Sequence, residues 1–200
     1  MGSGHGCRRL SVDQCYKLLE EHDVPPHIIE HSEMVCRVAA FLAEQLNRQG
    51  KNLSKAEIEG AALLHDITKM KCMETGQNHA MTGKELLTEL GFGRVGQIIA
   101  EHIKLQEGRS SLPLSEEEII NYSDKRVMHI HVVSLEERFA DLRKRYGVKN
   151  PDKKVNKRIV ALERETYELE SKIFSSLDFT PEDLSDLMGV VSDNVGSRNR

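Results

Sequence analysis

Apolar positions recur at helical spacing over most of this chain. Ser11-Val12-Asp13-Gln14 has the form of a capping box, and a helix follows to about His22. Pro25-Pro26 stops it and starts the next. Ile28, Val35, Val38, Leu42 and Leu46 then recur at spacings of three, four and seven, which predicts a long amphipathic helix over 27–49, ended by Gly50. Ser54-Lys55-Ala56-Glu57 reads as a second capping box. It opens a helix through Ile58, Ala61, Ala62, Leu63 and Leu64, whose alanines suit close packing of a central element. The stretch 71–78 is polar, with Gly76 and Asn78 as turn residues. Further helices are predicted from near His79 to Leu90 and from Val95 to Leu105. A third capping box, Ser115-Glu116-Glu117-Glu118, opens another through Ile119, Ile120, Asp124 and Val127.

Beyond Val127 the pattern changes. In Val127 to Val133, His129 and His131 alternate with apolar residues; the segment reads as a loop or helix end, and no segment predicts a convincing strand. Residues 135–146 and 152–176 are rich in Glu, Arg and Lys and predict longer, more solvated helices. The second has a thin apolar stripe and is a candidate partner or dimer helix. Thr180-Pro181 is an N-cap followed by Pro at N1. No internal repeat is present. The expectation is an all-α fold. A helical bundle spans 10–133 and a C-terminal helical extension spans 134–189. They are flanked by a disordered start or expression scar (1–9) and a flexible tail (190–200).

The length of 200 residues suits one domain. Hydrophobic residues make up 38% but aromatics only 4%, with no Trp, so the core is expected to be Leu, Ile, Val, Ala and Met. A net charge of -4 leaves no electrostatic footprint for a nucleic-acid polymer. An anionic substrate must then be held by a local cluster or a metal. Cys7, Cys15, Cys36 and Cys72 form no C-x-x-C pair and read as reduced thiols of a cytoplasmic protein. No apolar run approaches the ~20 residues of a membrane span. The start has no signal-peptide apolar region.

Several polar residues occupy apolar positions. His31 falls three after Ile28 and four before Val35; Asp124 falls four after Ile120 and three before Val127. His79 shares a register with Gly83, Leu86 and Leu90, and His102 shares one with Ile98 and Leu105. His65-Asp66 ends the alanine-rich helix. Unpaired buried charges cost several kcal/mol each, and metal coordination removes that cost. Imidazole and carboxylate suit iron, manganese, zinc or nickel better than copper(I). Six inward residues from five helices match two ions better than one. Two ions ~3.5–4 Å apart form a clamp for phosphoryl transfer to water. Plainer roles exist for some of these residues. His79 suits a helix N-terminus, His102 a core histidine, and Lys69 a helix C-terminus favourable with the dipole. His27, four before His31, reads as a surface or supporting residue. His129 and His131 read as a solvated loop, and His5 and His22 as surface residues.

The order His31…His65-Asp66…His79…His102…Asp124, with Leu63-Leu64 before the pair and Lys69 after it, resembles the HD-domain superfamily of metal-dependent phosphohydrolases over about residues 27–130. It is most similar to the subgroup with two extra histidines and a dinuclear centre. The His-Asp-x-x-Lys element is similar to that of bis(nucleosyl)-tetraphosphate hydrolases. The resemblance implies His31, His65, Asp66 and Asp124 as ligands of one metal. It implies His79 and His102 as ligands of a second, with Asp66 as the bridge. Iron or manganese are the first candidates, with zinc, nickel or magnesium as substitutes. Thr68 departs from the glycine of many members. There is no Gly-Tyr-Pro element of the cyclic-di-nucleotide phosphodiesterases and no carboxylate-rich motif of the alarmone hydrolases, which disfavours both substrates.

The expected activity is cleavage of a phosphoester or phosphoanhydride of a nucleotide or other small phosphorylated molecule by a metal-activated hydroxide. Asp66 would orient that hydroxide and Lys69 would steady a phosphate oxygen. The start of the helix at His79 would add a positive dipole end, and Arg109 would reach a distal phosphate. Two alternatives are a mononuclear nucleoside-monophosphate phosphatase, with His79 and His102 as substrate contacts, and a catalytically silent metal-binding regulatory module. No nucleic-acid polymer or membrane is expected as a partner, and an oligomer is compatible with the sequence.

Overall fold

The computed structural model describes residues 10–147 and 153–189; the expected N-terminal scar and C-terminal tail, with His5 and Cys7, lie outside them. The first part of the chain forms α1 (Val12–Glu21), α2 (Pro26–Arg48), α3 (Lys55–Leu64), α4 (Lys69–Thr75), α5 (His79–Glu89), α6 (Gly93–Ala100) and α7 (Glu116–Lys125). The all-α expectation holds. Helix α3 is the centre, packed against α1, α2, α6 and α7. Ala61 and Ala62 are fully buried on it, and their small side chains let the longer α2 approach. In return α2 buries Val35, Val38, Leu42 and Leu46 completely, each worth about 1.5–3 kcal/mol relative to exposure.

Capping follows the sequence at two of the three expected boxes. Ser11 and Gln14 form their reciprocal box at α1. Glu118 accepts from both the N–H and the hydroxyl of Ser115 at α7. Ser54 is the exception: its side chain makes no capping bond, and its N–H goes to Glu116 Oε1, 2.9 Å away. The acidic first turn of α7 thus takes the role expected of Glu57.

Three segments differ from expectation. In the polar stretch 71–78, Gly76 and Asn78 lie between helices as expected, but 69–75 form an additional helix, α4, closed by Gly76 at φ 72° in the left-handed region. The helix expected to reach Leu105 stops at Ala100, because the carbonyls of Glu101 and His102 are taken by the side chain of Asn121 on α7. The segment after Val127 is neither loop nor helix end. It is a small antiparallel hairpin of β1 (Val127–Met128) and β2 (His131–Val132), paired Val127 to Val132 and Met128 to His131. Arg126 and Val133 tie its base: the Val133 N–H donates to the Arg126 carbonyl at 2.8 Å and Arg126 Nε to the Val133 carbonyl at 2.7 Å. His129 turns the chain at φ 58°.

The C-terminal helices are solvated on one face, as expected, and packed on the other. Helix α8 (Leu135–Leu142) opens on a Ser134–Glu137 capping box and runs into a π-helical turn, Arg143–Gly147. Helix α9 (Lys153–Phe174) buries Leu169 and Ile173 in the common core. Glu170 on α9 accepts from the Tyr122 hydroxyl (2.5 Å) and from Arg126 (3.1 Å). A 3-10 turn, Pro181–Asp183, leads into residues 184–189, where Leu184 and Met188 are buried. Among the described residues no helix is long and apolar enough to cross a membrane.

Candidate metal centre

His31 comes from the buried face of α2, His65 and Asp66 from the turn after α3, and His79 from the first position of α5. His102 lies in the turn after α6 and Asp124 near the end of α7. The fold brings all six together as two groups: His31, His65 and Asp124; and Asp66, His79 and His102. Within each group the donor atoms lie within 4.8 Å of one another.

Backbone carbonyls orient three of the imidazoles. Nδ1–H of His31 donates to the His129 carbonyl (3.0 Å), that of His65 to the Ala62 carbonyl (2.7 Å), and that of His102 to the Ile99 carbonyl (2.7 Å). A carbonyl can only accept, so the proton is fixed on Nδ1 and Nε2 is turned inward as the donor atom. Nε2 of His31 is 3.2 Å from Asp124 Oδ1, and Nε2 of His65 is 3.6 Å from the same oxygen.

Asp66 stands between the groups. Its Oδ1 is 3.1 Å from His79 Nε2 and 3.7 Å from His102 Nε2. Its Oδ2 is 3.4 Å from His65 Nε2 and 2.6 Å from Lys69 Nζ. One carboxylate therefore faces the second group with one oxygen and His65 with the other.

The electrostatics follow from burial and these contacts. Burial alone would push the Asp66 and Asp124 carboxyls up, but the facing imidazoles outweigh it and hold both well below the usual carboxylate range. Lys69 adds to this at Asp66, and Arg138 at Asp124. Burial pushes His65 down, yet Asp66 and Asp124 overcome it and raise the imidazole to about 10. His102 goes the other way: burial, then the charge of His65, push it down to about 3.

The donor set fits a divalent metal. His65 Nε2 and Asp66 Oδ1 are buried with no hydrogen-bond partner, a costly arrangement for both. His79 Nε2 lies 3.1 Å from His102 Nε2, a contact that needs a proton or a cation between the two nitrogens. Ligation by imidazole nitrogen and carboxylate oxygen satisfies all of them.

The HD domain family matches residues 28–175. This chain belongs to the HD domain family. The HD match takes in all six donors, the hairpin, α8 and α9. HD domains bind divalent metals and are typically metal-dependent hydrolases. The chain is also similar to an uncharacterized protein of Methanocaldococcus jannaschii, 28% identical over 152 residues, covering 70% of this chain and 87% of that one. No solved structure matches.

Other residues of this HD domain support the donors without an obvious sequence signal. His129, expected to be a solvated loop residue, has an exposed side chain, but its carbonyl fixes His31. Asn121 donates to the Glu101 and His102 carbonyls at 2.7 and 3.1 Å. Lys125, almost fully buried, donates to the His102 carbonyl (3.0 Å) and to Asn121. Together they clamp the turn that carries His102. Thr68 donates its hydroxyl to the His79 carbonyl at 2.8 Å and joins the His-Asp turn to α5. Asn78 Oδ1 already takes the N–H groups of Ala80 and Met81, so the start of α5 is capped. Arg109 is bound to the Glu101 carboxylate, with Nε 2.8 Å from Oε2. His22, His27 and His131 are exposed.

Proposed function

We propose that this HD-domain protein is a metal-dependent phosphohydrolase acting on a phosphoester or phosphoanhydride of a nucleotide or another small phosphorylated molecule. The observation that carries the reading is the Asp66 carboxylate set between two donor groups, with Asp66 Oδ1 and His65 Nε2 buried and unpartnered. Two donor groups, with Asp66 of the second facing His65 of the first, support two ions, and the imidazole and carboxylate mixture supports iron or manganese, with zinc, nickel or magnesium able to substitute. Divalent ions bound here would supply Lewis-acid polarisation of a phosphoryl oxygen and a lowered pKa for coordinated water.

The chain's own residues do the rest. His31, His65 and Asp124 would hold one ion, and His79 and His102 a second, with Asp66 between them. His65 Nε2 faces the Asp66 and Asp124 carboxylates and would offer its lone pair to an ion held there. His65, Asp66 and His102 are almost fully buried, which limits the access of bulk water to them. Lys69 is the partly exposed cation of the group, 2.6 Å from Asp66 Oδ2, and offers a point charge to a phosphate oxygen. The free thiols of Cys15, Cys36 and Cys72 support a cytoplasmic setting.

The test is a hydrolysis panel on protein loaded with Mn2+ or Fe2+: p-nitrophenyl phosphate, nucleoside mono-, di- and triphosphates, and dinucleoside polyphosphates. Turnover of at least one class, abolished by Asp66→Asn in a folded protein, is expected. No turnover across the panel at full loading would replace this reading with a metal-binding regulatory module.

A further inference from the structure

His31 is gripped at both ring nitrogens by one short stretch of chain. Its Nε2 lies 3.2 Å from Asp124 Oδ1, near the end of α7, and its Nδ1–H donates at 3.0 Å to the carbonyl of His129 in the hairpin turn. His129 follows Asp124 by only five residues. The orientation of this donor therefore depends on the path of the chain from the last turn of α7 into the hairpin. Strands of two residues do not hold such a path by themselves, because an isolated hairpin is marginal in water.

Arg126 stands on that path and ends α7, with its side chain almost fully buried. Its carbonyl accepts from the Val133 N–H (2.8 Å) and its Nε donates to the Val133 carbonyl (2.7 Å), so one residue closes the hairpin with backbone and side chain together. The other guanidinium nitrogens are anchored outside the hairpin. Nη2 donates to the Pro181 carbonyl at 2.8 Å, and Nη1 donates to the Tyr122 hydroxyl and, at 3.1 Å, to Glu170 Oε2 on α9. A buried guanidinium is stable only with its charge paired, and Glu170 supplies the pair. The planar fork spans all four acceptors, which a lysine ammonium does not. The other donor group is held separately. Asn121 and Lys125 clamp the His102 turn and Thr68 bonds the His79 carbonyl, and none of these bonds passes through Arg126.

We infer that Arg126 is a positioning residue for the first donor group, and that Glu170 of α9 sets the affinity of that group for its ion through Arg126. The inference rests on the reading above that His31, His65 and Asp124 hold an ion. The Arg126 side chain bonds to none of these donors. It acts by holding the end of α7 and the hairpin where Asp124 and the His129 carbonyl meet the two nitrogens of one ring. Without the guanidinium, or with its carboxylate neutralised, the hairpin loses its brace and the His31 Nδ1–H loses its acceptor. The tautomer and direction of the ring are then no longer fixed. Helix α9 thereby takes part in metal binding through Glu170, which is not itself one of the six donors.

The test is a Zn2+ titration of metal-free wild type, Arg126→Lys, Glu170→Gln and Ile173→Ala. It is followed by the histidine ring signals in proton–nitrogen NMR, which separate His31 and His65 from His79 and His102, and the thermal midpoint of each protein is measured. Ile173, fully buried on the same helix as Glu170, controls for lost stability. Arg126→Lys and Glu170→Gln are expected to weaken the step that engages His31 and His65 about 10- to 100-fold, as for loss of a support to a ligand, and to leave the His79 and His102 step unchanged. Ile173→Ala should lower the midpoint and leave both steps unchanged. Equal weakening of both steps, or a loss in Ile173→Ala as large as in Glu170→Gln, would overturn the inference by reducing the network to general stability. An unchanged first step in Glu170→Gln, which keeps the side-chain volume, would also overturn it, and this variant decides alone if Arg126→Lys does not fold. In each of these cases the metal reading of the first group stands. If wild type engages no Zn2+ at His31 and His65, that reading fails and this inference with it.

Discussion

His31 and His129 are 98 residues apart in the chain, and Nδ1–H of the first donates to the carbonyl of the second at 3.0 Å. The bond fixes the tautomer of His31 and leaves Nε2 for Asp124 and an ion. It acts through the backbone of His129, which sits at φ 58°. His129→Gly, which tolerates that conformation, is therefore expected to retain metal. His129→Val is expected to lose about 1–2 kcal/mol of stability and to weaken metal binding, because a side chain branched at Cβ is strained there. Thermal unfolding and metal titration of the two variants check this; equal metal affinity in both would contradict it.

Asn121 is expected to matter for one half of the site only. Asn121→Ala removes a donor from the Glu101 and His102 carbonyls and an acceptor from Lys125, at a cost of about 2–3 kcal/mol. The turn bearing His102 loosens, while His31, His65 and Asp124 keep their orientation. Metal titration should show one site weakened and one unchanged. Equal loss at both sites would mean that the groups are not independently held.

Arg94 joins α6 to the start of α7 through Glu116 and Glu117, and it also meets Glu57. Burial pushes the Glu117 carboxyl up, but the bond from Arg94 outweighs it and lowers it. A carboxyl lowered in the folded state stabilises above its unfolded value, near 4.3, and that stabilisation is lost as the pH falls through the folded value. Arg94→Ala is expected to cost about 1–2 kcal/mol at pH 7, a modest figure because solvent screens the partly exposed pair. Urea unfolding should show the cost shrinking as the pH is lowered toward 3. A constant cost would assign Arg94 a packing role instead.

Burial is the main cause that pushes the thiols of Cys15 and Cys36 up to about 12. At pH 8 roughly one in ten thousand of each is thiolate, so alkylation should be slow in the folded protein and rise with pH. Iodoacetamide with mass-spectrometric readout should label both sites at least about 100-fold faster in urea than in native buffer. Comparable rates would show that the α1 and α2 packing opens readily.

Much of the site could be read along the chain because its donors break a strong periodic pattern. His31 and Asp124 replace apolar residues in otherwise regular helices, and both point inward as that register requires. The supports carry no such mark. Asn121 and Lys125 look like an ordinary polar stripe on α7 until the turn they hold is seen, and His129 contributes only a carbonyl. The hairpin after Val127 is too short for a period of two to show, and it forms because Arg126 and Val133 close it from both sides. The shortness of α4, seven residues, hid it among turn formers.

The central claim is a two-ion site built on Asp66. It is tested most directly by elemental analysis of metal per chain, on untagged protein purified without chelator and saturated with Mn2+ or Fe2+. Close to two equivalents are expected in wild type and close to one in His79→Ala and His102→Ala. One equivalent in wild type, unchanged by those substitutions, would contradict the second ion. No metal after reconstitution would remove the site altogether.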